Sequence, residues 1–134
     1  MSKYIGMALK EVYSFACEEY HLKKNSRFFN DLPSDIDATE SVREIDVSRN
    51  YIGPKGIKAL LEVVKSCYNL HTLILRDQQL PKEAVLMLCD TLASHPSVRK
   101  LDLRQNPITI DGGRHLFDLV QANPRIEQVL LENT

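Results

Sequence analysis

The strongest constraint on this chain is a pattern of aliphatic residues that recurs every 28 residues. Four segments share the pattern, and they begin at Val42, Leu70, Val98 and Ile126. In each segment aliphatic residues stand at positions one, four and six. Position nine is occupied by Asn50, Gln78, Asn106 and Thr134. A period that holds three times indicates structural repeats, each of them one supersecondary unit that stacks on its neighbours.

Each repeat predicts a short strand, a turn and a helix. Positions four and six share one face of a strand because side chains alternate across it. An amide at position nine can bond the backbone where the strand ends, and Gln78 is predicted to be the imperfect version. Apolar residues then follow at helical spacing: Gly56, Ile57, Leu60 and Val64; Ala84, Val85, Leu88 and Leu92; Gly112, Gly113, Leu116 and Val120.

The predicted helix ends carry the residues that suit them. Pro54 and Pro81 fall near helix starts, where a missing amide proton costs little. Asp111 is predicted to cap the third helix of the repeats. Pro96 and Pro124 are predicted to close the second and third.

This LxxLxLxxN pattern, the small residue near each helix start and the 28-residue unit resemble the ribonuclease-inhibitor-like class of leucine-rich repeats. The resemblance covers residues 42–134, as repeats 42–69, 70–97 and 98–125 and an incomplete repeat 126–134. It implies an α/β right-handed solenoid with parallel strands on the concave face and helices on the convex face. The class includes the Ran GTPase-activating protein, innate immune receptors, tropomodulin-like actin-capping proteins and many ciliary and flagellar proteins, and most members bind proteins.

Residues 1–41 lack the repeat and are predicted to form a helical cap and a connection. One predicted helix carries Ile5, Ala8, Leu9, Val12, Phe15 and Ala16, with Tyr4, Tyr13 and Tyr20 nearby. A second helix is predicted to start at Asn25 or Ser26, to carry Phe28, Phe29 and Leu32, and to end at Pro33. The segment is expected to cover the first repeat, and the alternative is a docking helix for a partner. Residues 31–40 are expected to connect it to the first strand.

The C-terminal strand is followed by no helix that could cover it, so its edge is expected to be unprotected. This favours a boundary inside a longer protein. Self-association through the exposed strand is the structural alternative.

The charge of the chain disfavours two classes of partner, and its cysteine content indicates a compartment. The 17 basic and 18 acidic residues give a net charge of −1, which favours neither nucleic acid nor an anionic membrane. No apolar stretch approaches the ~20 residues of a membrane span. Cys17, Cys67 and Cys89 are odd in number and far apart, which indicates reduced thiols in a cytoplasmic protein.

The sequence predicts no catalytic residue, cofactor or metal site. His21, His71, His95 and His115 stand at unrelated positions of the repeat, and no phosphate-binding or nucleophile motif is present. Cys67 and Cys89 are predicted to be packing residues. The one enzymatic alternative is GTPase activation of the Ran type, for which Arg49, Arg76 and Arg104 lie near strand ends.

The predicted function is that of a non-catalytic protein-binding scaffold, cytoplasmic and associated with the cytoskeleton or a flagellum. Positions three, five and seven should project from the concave face in columns. Ile74 and Leu130 are predicted as apolar anchors beside Arg76 and Arg104. The predicted partner-binding residues are Glu44, Thr72, Lys100 and Gln128, then Asp46, Ile74, Asp102 and Leu130, then Ser48, Arg76, Arg104 and Glu132.

Overall fold

A computed structural model describes residues 3–132, in which strands and helices alternate from residue 44 onward. Two helices precede the repeats, α1 (Leu9–Glu19) and α2 (Ser26–Asp31), and a 3-10 helix (Ile36–Ser41) follows them. The repeats contain β1 (Glu44–Asp46), α3 (Gly53–Ser66), β2 (Thr72–Ile74), α4 (Lys82–Leu92), β3 (Lys100–Asp102), α5 (Ile110–Ala122) and β4 (Gln128–Leu130).

The four strands form one parallel sheet in the order β1-β2-β3-β4. Their register follows the sequence period, since Ile45 pairs with Leu73, Leu73 with Leu101 and Leu101 with Val129. A parallel sheet with one helix between successive strands is the predicted α/β solenoid, and the fold-class prediction is confirmed.

The core lies between the sheet and the helices. The residues at positions four and six of the first three repeats are buried, as are the apolar helix residues Ile57, Leu60, Leu88 and Leu116. Val120 departs from the prediction because its side chain is 39% exposed, whereas its equivalents Val64 and Leu92 are fully buried. Val64 and Leu92 each lie on a helix that packs against the next helix, whereas the described chain places no helix beyond α5.

The cap of α5 corrects one prediction. Thr109, not Asp111, stands at the N-cap, and its hydroxyl accepts a hydrogen bond from the Gly112 amide at 3.1 Å. Asp111 lies in the first turn, where its negative charge interacts favourably with the helix dipole. Pro54 lies in the first turn of α3 and Pro81 directly precedes α4, as predicted.

The N-terminal helices pack on the first repeat. α1 lies against α3, and α2 lies against α1. Tyr13 meets Phe28 edge to face, with ring centroids 4.9 Å apart, and Asn25 caps α2. The predicted helix stripe was wrong at Ile5 and Phe15, which are 75% and 45% exposed. Helix α1 begins only at Leu9, so Ile5 lies before it.

A ladder of buried amides joins successive repeats at the strand ends. Asn106 Oδ1 accepts the amide protons of Gln78 and Leu80, and its Nδ2 donates to Leu75 of the preceding repeat and to its own repeat. Gln78 makes a comparable set of bonds, because its Oε1 accepts from the Ile52 and Gly53 amides at 2.7 and 3.2 Å and its Nε2 donates to the Val47 carbonyl at 3.0 Å. Gln78 is therefore a complete rung, and the prediction of an imperfect one was wrong. Thr134, the fourth predicted rung, lies outside the described residues.

A second ladder stands at the opposite end of the strands, and the sequence analysis missed it. His95 Nε2 lies 3.1 Å from the Val64 carbonyl, while its Nδ1 accepts from Ser97 and Val98. Asn123, one repeat later, donates from Nδ2 to the carbonyls of Leu92 and His95. His95 and Asn123 are 28 residues apart, so they occupy equivalent positions of successive repeats and both bond to the repeat before them.

Candidate protein-binding face

The strand face is defined as the side chains at positions three, five and seven of the four repeats. Sheet register aligns Glu44, Thr72, Lys100 and Gln128 in one row and Asp46, Ile74, Asp102 and Leu130 in the next. The second residue after each strand completes the face: Ser48, Arg76, Arg104 and Glu132. The structure therefore brings the twelve predicted residues together in the predicted columns.

Burial divides these residues into exposed, half-buried and buried groups. Glu44, Asp46, Gln128 and Glu132 are exposed, and Ser48, Thr72, Lys100 and Leu130 are half-buried. Ile74 is only 7% exposed and Asp102 is fully buried. The expectation that Ile74 is an exposed apolar anchor was wrong. Leu130 keeps part of its apolar surface open.

Arg76, Asp102 and Arg104 form one ion-paired cluster across two repeats. Arg104 binds Asp102 through two side-chain nitrogens, Nε at 3.0 Å and Nη2 at 2.8 Å. Arg76 Nε lies 2.9 Å from Asp102 Oδ2 as an ion pair, but no acceptor meets hydrogen-bonding geometry at this buried nitrogen. The carboxylate thus fixes both guanidinium groups.

The electrostatics of this cluster favour an ionised Asp102. Burial alone would raise its pKa, but the hydrogen bonds from Arg104, together with the charges of Arg104 and Arg76, bring the pKa below its usual value. Two cations share one carboxylate, so the cluster retains a net positive charge. A partner carboxylate is the group that complements it.

Position five carries a second, local role in two repeats. Asp46 Oδ1 accepts the Ser48 amide proton at 2.9 Å, and Asp102 Oδ1 accepts that of Arg104 at 3.1 Å. Each aspartate therefore turns the chain at the end of its strand. These two carboxylates support the face structurally, which lowers their availability to a ligand.

The N-terminal segment also contributes to this surface, which the sequence analysis did not predict. Arg27 of α2 donates to the carbonyl of Arg49 at 3.1 Å. With Asp31, Asp46 and Ser48 these residues border a cleft of about 180 Å³ beside the first strand. No periodicity links α2 to the repeats, so only tertiary packing reveals the cleft.

Other chemical groups in the described chain are occupied by packing. Burial raises the pKa of the Cys67 thiol and of the Cys89 thiol to about 12, so neither is a ready nucleophile. Between residues 3 and 132, no group of three or more His, Cys, Asp or Glu side chains is placed to hold a metal ion. No helix in the same range has the length and apolar character needed to cross a membrane.

Comparison with known proteins identifies the repeats. The leucine-rich repeat family pattern matches residues 40–61 and 94–117. The human protein "NACHT, LRR and PYD domains-containing protein 2" is 35% identical over 94 residues, which is 69% of this chain and 9% of that protein. The human "NACHT, LRR and PYD domains-containing protein 14" is 31% identical over 96 residues, again 69% of this chain and 9% of the relative.

These relatives are similar to the chain over a short part of their own length. The chain spans about 9% of each. The matched segments agree with the 28-residue period, the parallel sheet and the amide ladder. The chain is therefore a leucine-rich repeat protein of the ribonuclease-inhibitor-like type, distantly similar to the repeat regions of NACHT, LRR and PYD domain proteins.

Proposed function

We propose that this protein is a non-catalytic scaffold that binds another protein through the strand face. The observation that carries the proposal is the alignment of side chains in columns across four parallel strands. Backbone pairing and the amide ladder hold these side chains in place, so binding would require little ordering. Leucine-rich repeats typically serve protein–protein interaction, which supports the same conclusion.

The proposed contact residues differ in role. Glu44, Thr72, Lys100, Gln128 and Leu130 offer their side chains directly, with Leu130 as the apolar contact. The Arg76–Asp102–Arg104 cluster supplies positive charge beside them. Asp46, Ser48 and Glu132 complete the face, and Ile74 supports it from beneath.

A direct test compares substitutions that add negative charge on and off the strand face. Lys100→Glu and Leu130→Asp change side chains that are half-buried, and the matched control Lys55→Glu changes an exposed lysine of α3. Ile74→Asp is unsuitable because it would bury a carboxylate and destabilise the fold. The full-length protein and each variant are purified with their partners from native cells and compared by mass spectrometry.

We expect a partner that Lys100→Glu and Leu130→Asp lose and Lys55→Glu retains. Circular dichroism would confirm that all three variants remain folded. Identical partner sets for all of them would refute binding through the strand face.

The GTPase-activating alternative loses two of its three candidate arginines. Arg76 and Arg104 are held by Asp102, while Arg49 is exposed. An activator would present one free arginine to a bound nucleotide. Measuring GTP hydrolysis with and without Arg49→Ala tests this alternative separately.

We also propose the cytoplasm as the compartment, since the three cysteines are unpaired and buried. Association with the cytoskeleton or a flagellum rests on family resemblance. Imaging of a tagged full-length protein tests both statements.

A further inference from the structure

A second candidate interaction site lies at the C-terminal ends of α3 and α4. A half-open cavity of about 690 Å³ is bordered there by the segment before α1, by the 3-10 helix and by the turns after the two helices. Its apolar and aromatic lining comes from Tyr4, Ile5, Met7, Ile36, Tyr68 and Pro96. No residue of the strand face lines it, so the two surfaces are distinct.

Exposed apolar side chains converge on this cavity. Ile5 is 75% exposed, Tyr68 50% and Ile36 46%, and these three residues come from three separate segments of the chain. Single exposed apolar residues are ordinary, but three around one cavity form a patch of the kind that marks interaction sites.

The cavity has little net charge to offer a ligand. Among its lining residues the one lysine or arginine is Lys65, and there is no aspartate or glutamate. Lys65 Nζ is already 3.0 Å from Glu62 Oε2, and the Glu62 side chain is 6% exposed. A charged ligand group would lose hydration here without gaining a free counter-ion. The lining therefore matches an uncharged apolar group.

One polar atom of the lining lacks a partner. Thr39 is 7% exposed, and its Oγ1 is buried without a hydrogen-bond partner in the described part of the chain. Buried hydroxyl groups in native proteins are nearly always hydrogen-bonded. A carbonyl or amide that enters the cavity beside the apolar group would satisfy it.

We propose that this cavity receives a large uncharged apolar side chain from a second protein, presented on a short peptide segment whose backbone hydrogen-bonds Thr39. A peptide segment, and not a small molecule, accounts for the rim. A molecule confined to the cavity would leave most of Ile5 in water, whereas a segment that crosses the rim would cover Ile5 and Ile36 together. The proposal is independent of binding at the strand face.

The test is selection of a random-peptide phage library on the whole chain, followed by affinity measurements on synthetic copies of the enriched peptides. We expect those peptides to share a large uncharged apolar residue. Ile36→Asp should weaken their binding at least tenfold, as loss of an anchor contact does. Ile110→Asp is the matched control, because Ile110 is 79% exposed on α5 and does not line the cavity.

A second variant guards against a local folding defect. Tyr68 belongs to a different segment from Ile36, and Tyr68→Asp should weaken binding of the same peptides. The circular dichroism spectra of Ile36→Asp and Tyr68→Asp should match that of the unchanged chain. Lys100→Glu should leave peptide binding intact, which separates this cavity from the strand face.

Several outcomes would overturn the proposal. The proposal fails if the enriched peptides bind Ile36→Asp and Tyr68→Asp as tightly as they bind the unchanged chain. It also fails if no peptide is enriched. Binding of the free apolar probe N-acetyl-tryptophanamide in the absence of any enriched peptide would identify a small-molecule site. A dimer that Ile36→Asp dissociates would identify a second copy of the chain as the occupant.

Discussion

The amide ladder predicts that replacing asparagine by alanine at equivalent positions, Asn50 and Asn106, lowers the free energy of unfolding by very different amounts. Asn106 is 1% exposed, and its Oδ1 accepts protons from the buried Gln78 and Leu80 amides. Its Nδ2 donates to the Leu75 and Leu103 carbonyls at 2.8 and 3.0 Å. Asn106→Ala removes these four bonds and a longer one, of 3.4 Å, from Nδ2 to the Arg104 carbonyl.

The cost follows from the groups that are left behind. Two buried N–H groups and three carbonyls lose a partner, and a buried unsatisfied group costs ~1–3 kcal/mol. The carbonyls keep a second lone pair, so the two N–H groups dominate and the loss should be about 3–5 kcal/mol. That is a large fraction of the ~5–15 kcal/mol that stabilises a typical domain.

Asn50 provides the comparison within the same chain. It has no preceding repeat, and its amide instead exchanges two hydrogen bonds with the Asn25 side chain, at 3.0 and 2.9 Å. Both residues are half-buried, so water can replace the lost bonds. Asn50→Ala should therefore cost only about 1 kcal/mol.

Urea denaturation followed by far-ultraviolet circular dichroism measures both costs near neutral pH. With a slope of ~1–3 kcal/mol per molar urea, Asn106→Ala should lower the midpoint by roughly 2 M and Asn50→Ala by well under 1 M. Asn106→Gln is the control, because Gln78 shows that the ladder accommodates the longer amide. Equal losses for Asn50→Ala and Asn106→Ala would refute the reasoning.

Three further predictions concern pH, backbone conformation and thiols. Burial lowers the pKa of His95 from 6.5, so below pH 6.5 the unfolded chain takes up a proton that the folded chain refuses. The free energy of unfolding should therefore decrease as the pH is lowered below 6.5, by up to about 1.4 kcal/mol per pH unit. The decrease should be less steep in His95→Asn, and denaturation at several pH values would show the difference. Gly53 has φ +78°, and an added Cβ would lie 2.9 Å from the Tyr51 ring; Gly53→Ala should destabilise by about 1–2 kcal/mol. Gly113→Ala, which meets no atom within 4 Å inside α5, should stabilise by about 0.5–1 kcal/mol in the same assay. Cys67 and Cys89, whose pKa values burial raises to about 12, should react with a disulfide reagent only as the chain unfolds; rapid modification of the folded protein would contradict their burial.

The repeated part of the fold was predictable because its period is a local property of the sequence. Aliphatic residues at positions one, four and six define which strand face is buried, and a constant spacing forces equivalent strands into register. The columns of the strand face follow from the same arithmetic. The position of His95 follows the same period, since Asn123 stands 28 residues later, but histidine and asparagine share no obvious pattern in the sequence.

The conformations of individual surface residues depend on neighbours that the period does not specify. Asp46 and Asp102 occupy the same position of their repeats, yet Asp46 is exposed and Asp102 is fully buried. Asp102 is covered because Arg104, two residues later, and Arg76, just after the adjacent strand, both pair with its carboxylate. Ile74 is buried within the same face, and the sequence presented it as an exposed anchor.

The sequence by itself determined the repeat, the order of strands and helices, and the surface on which each strand residue projects. Only the tertiary structure decided which of those residues remain accessible, how the N-terminal helices meet the first repeat, and where the cavity beside α3 and α4 opens. The physical reason is that backbone periodicity depends on the pattern within one repeat. Accessibility depends on side-chain sizes and ion pairs contributed by several segments distant in the chain.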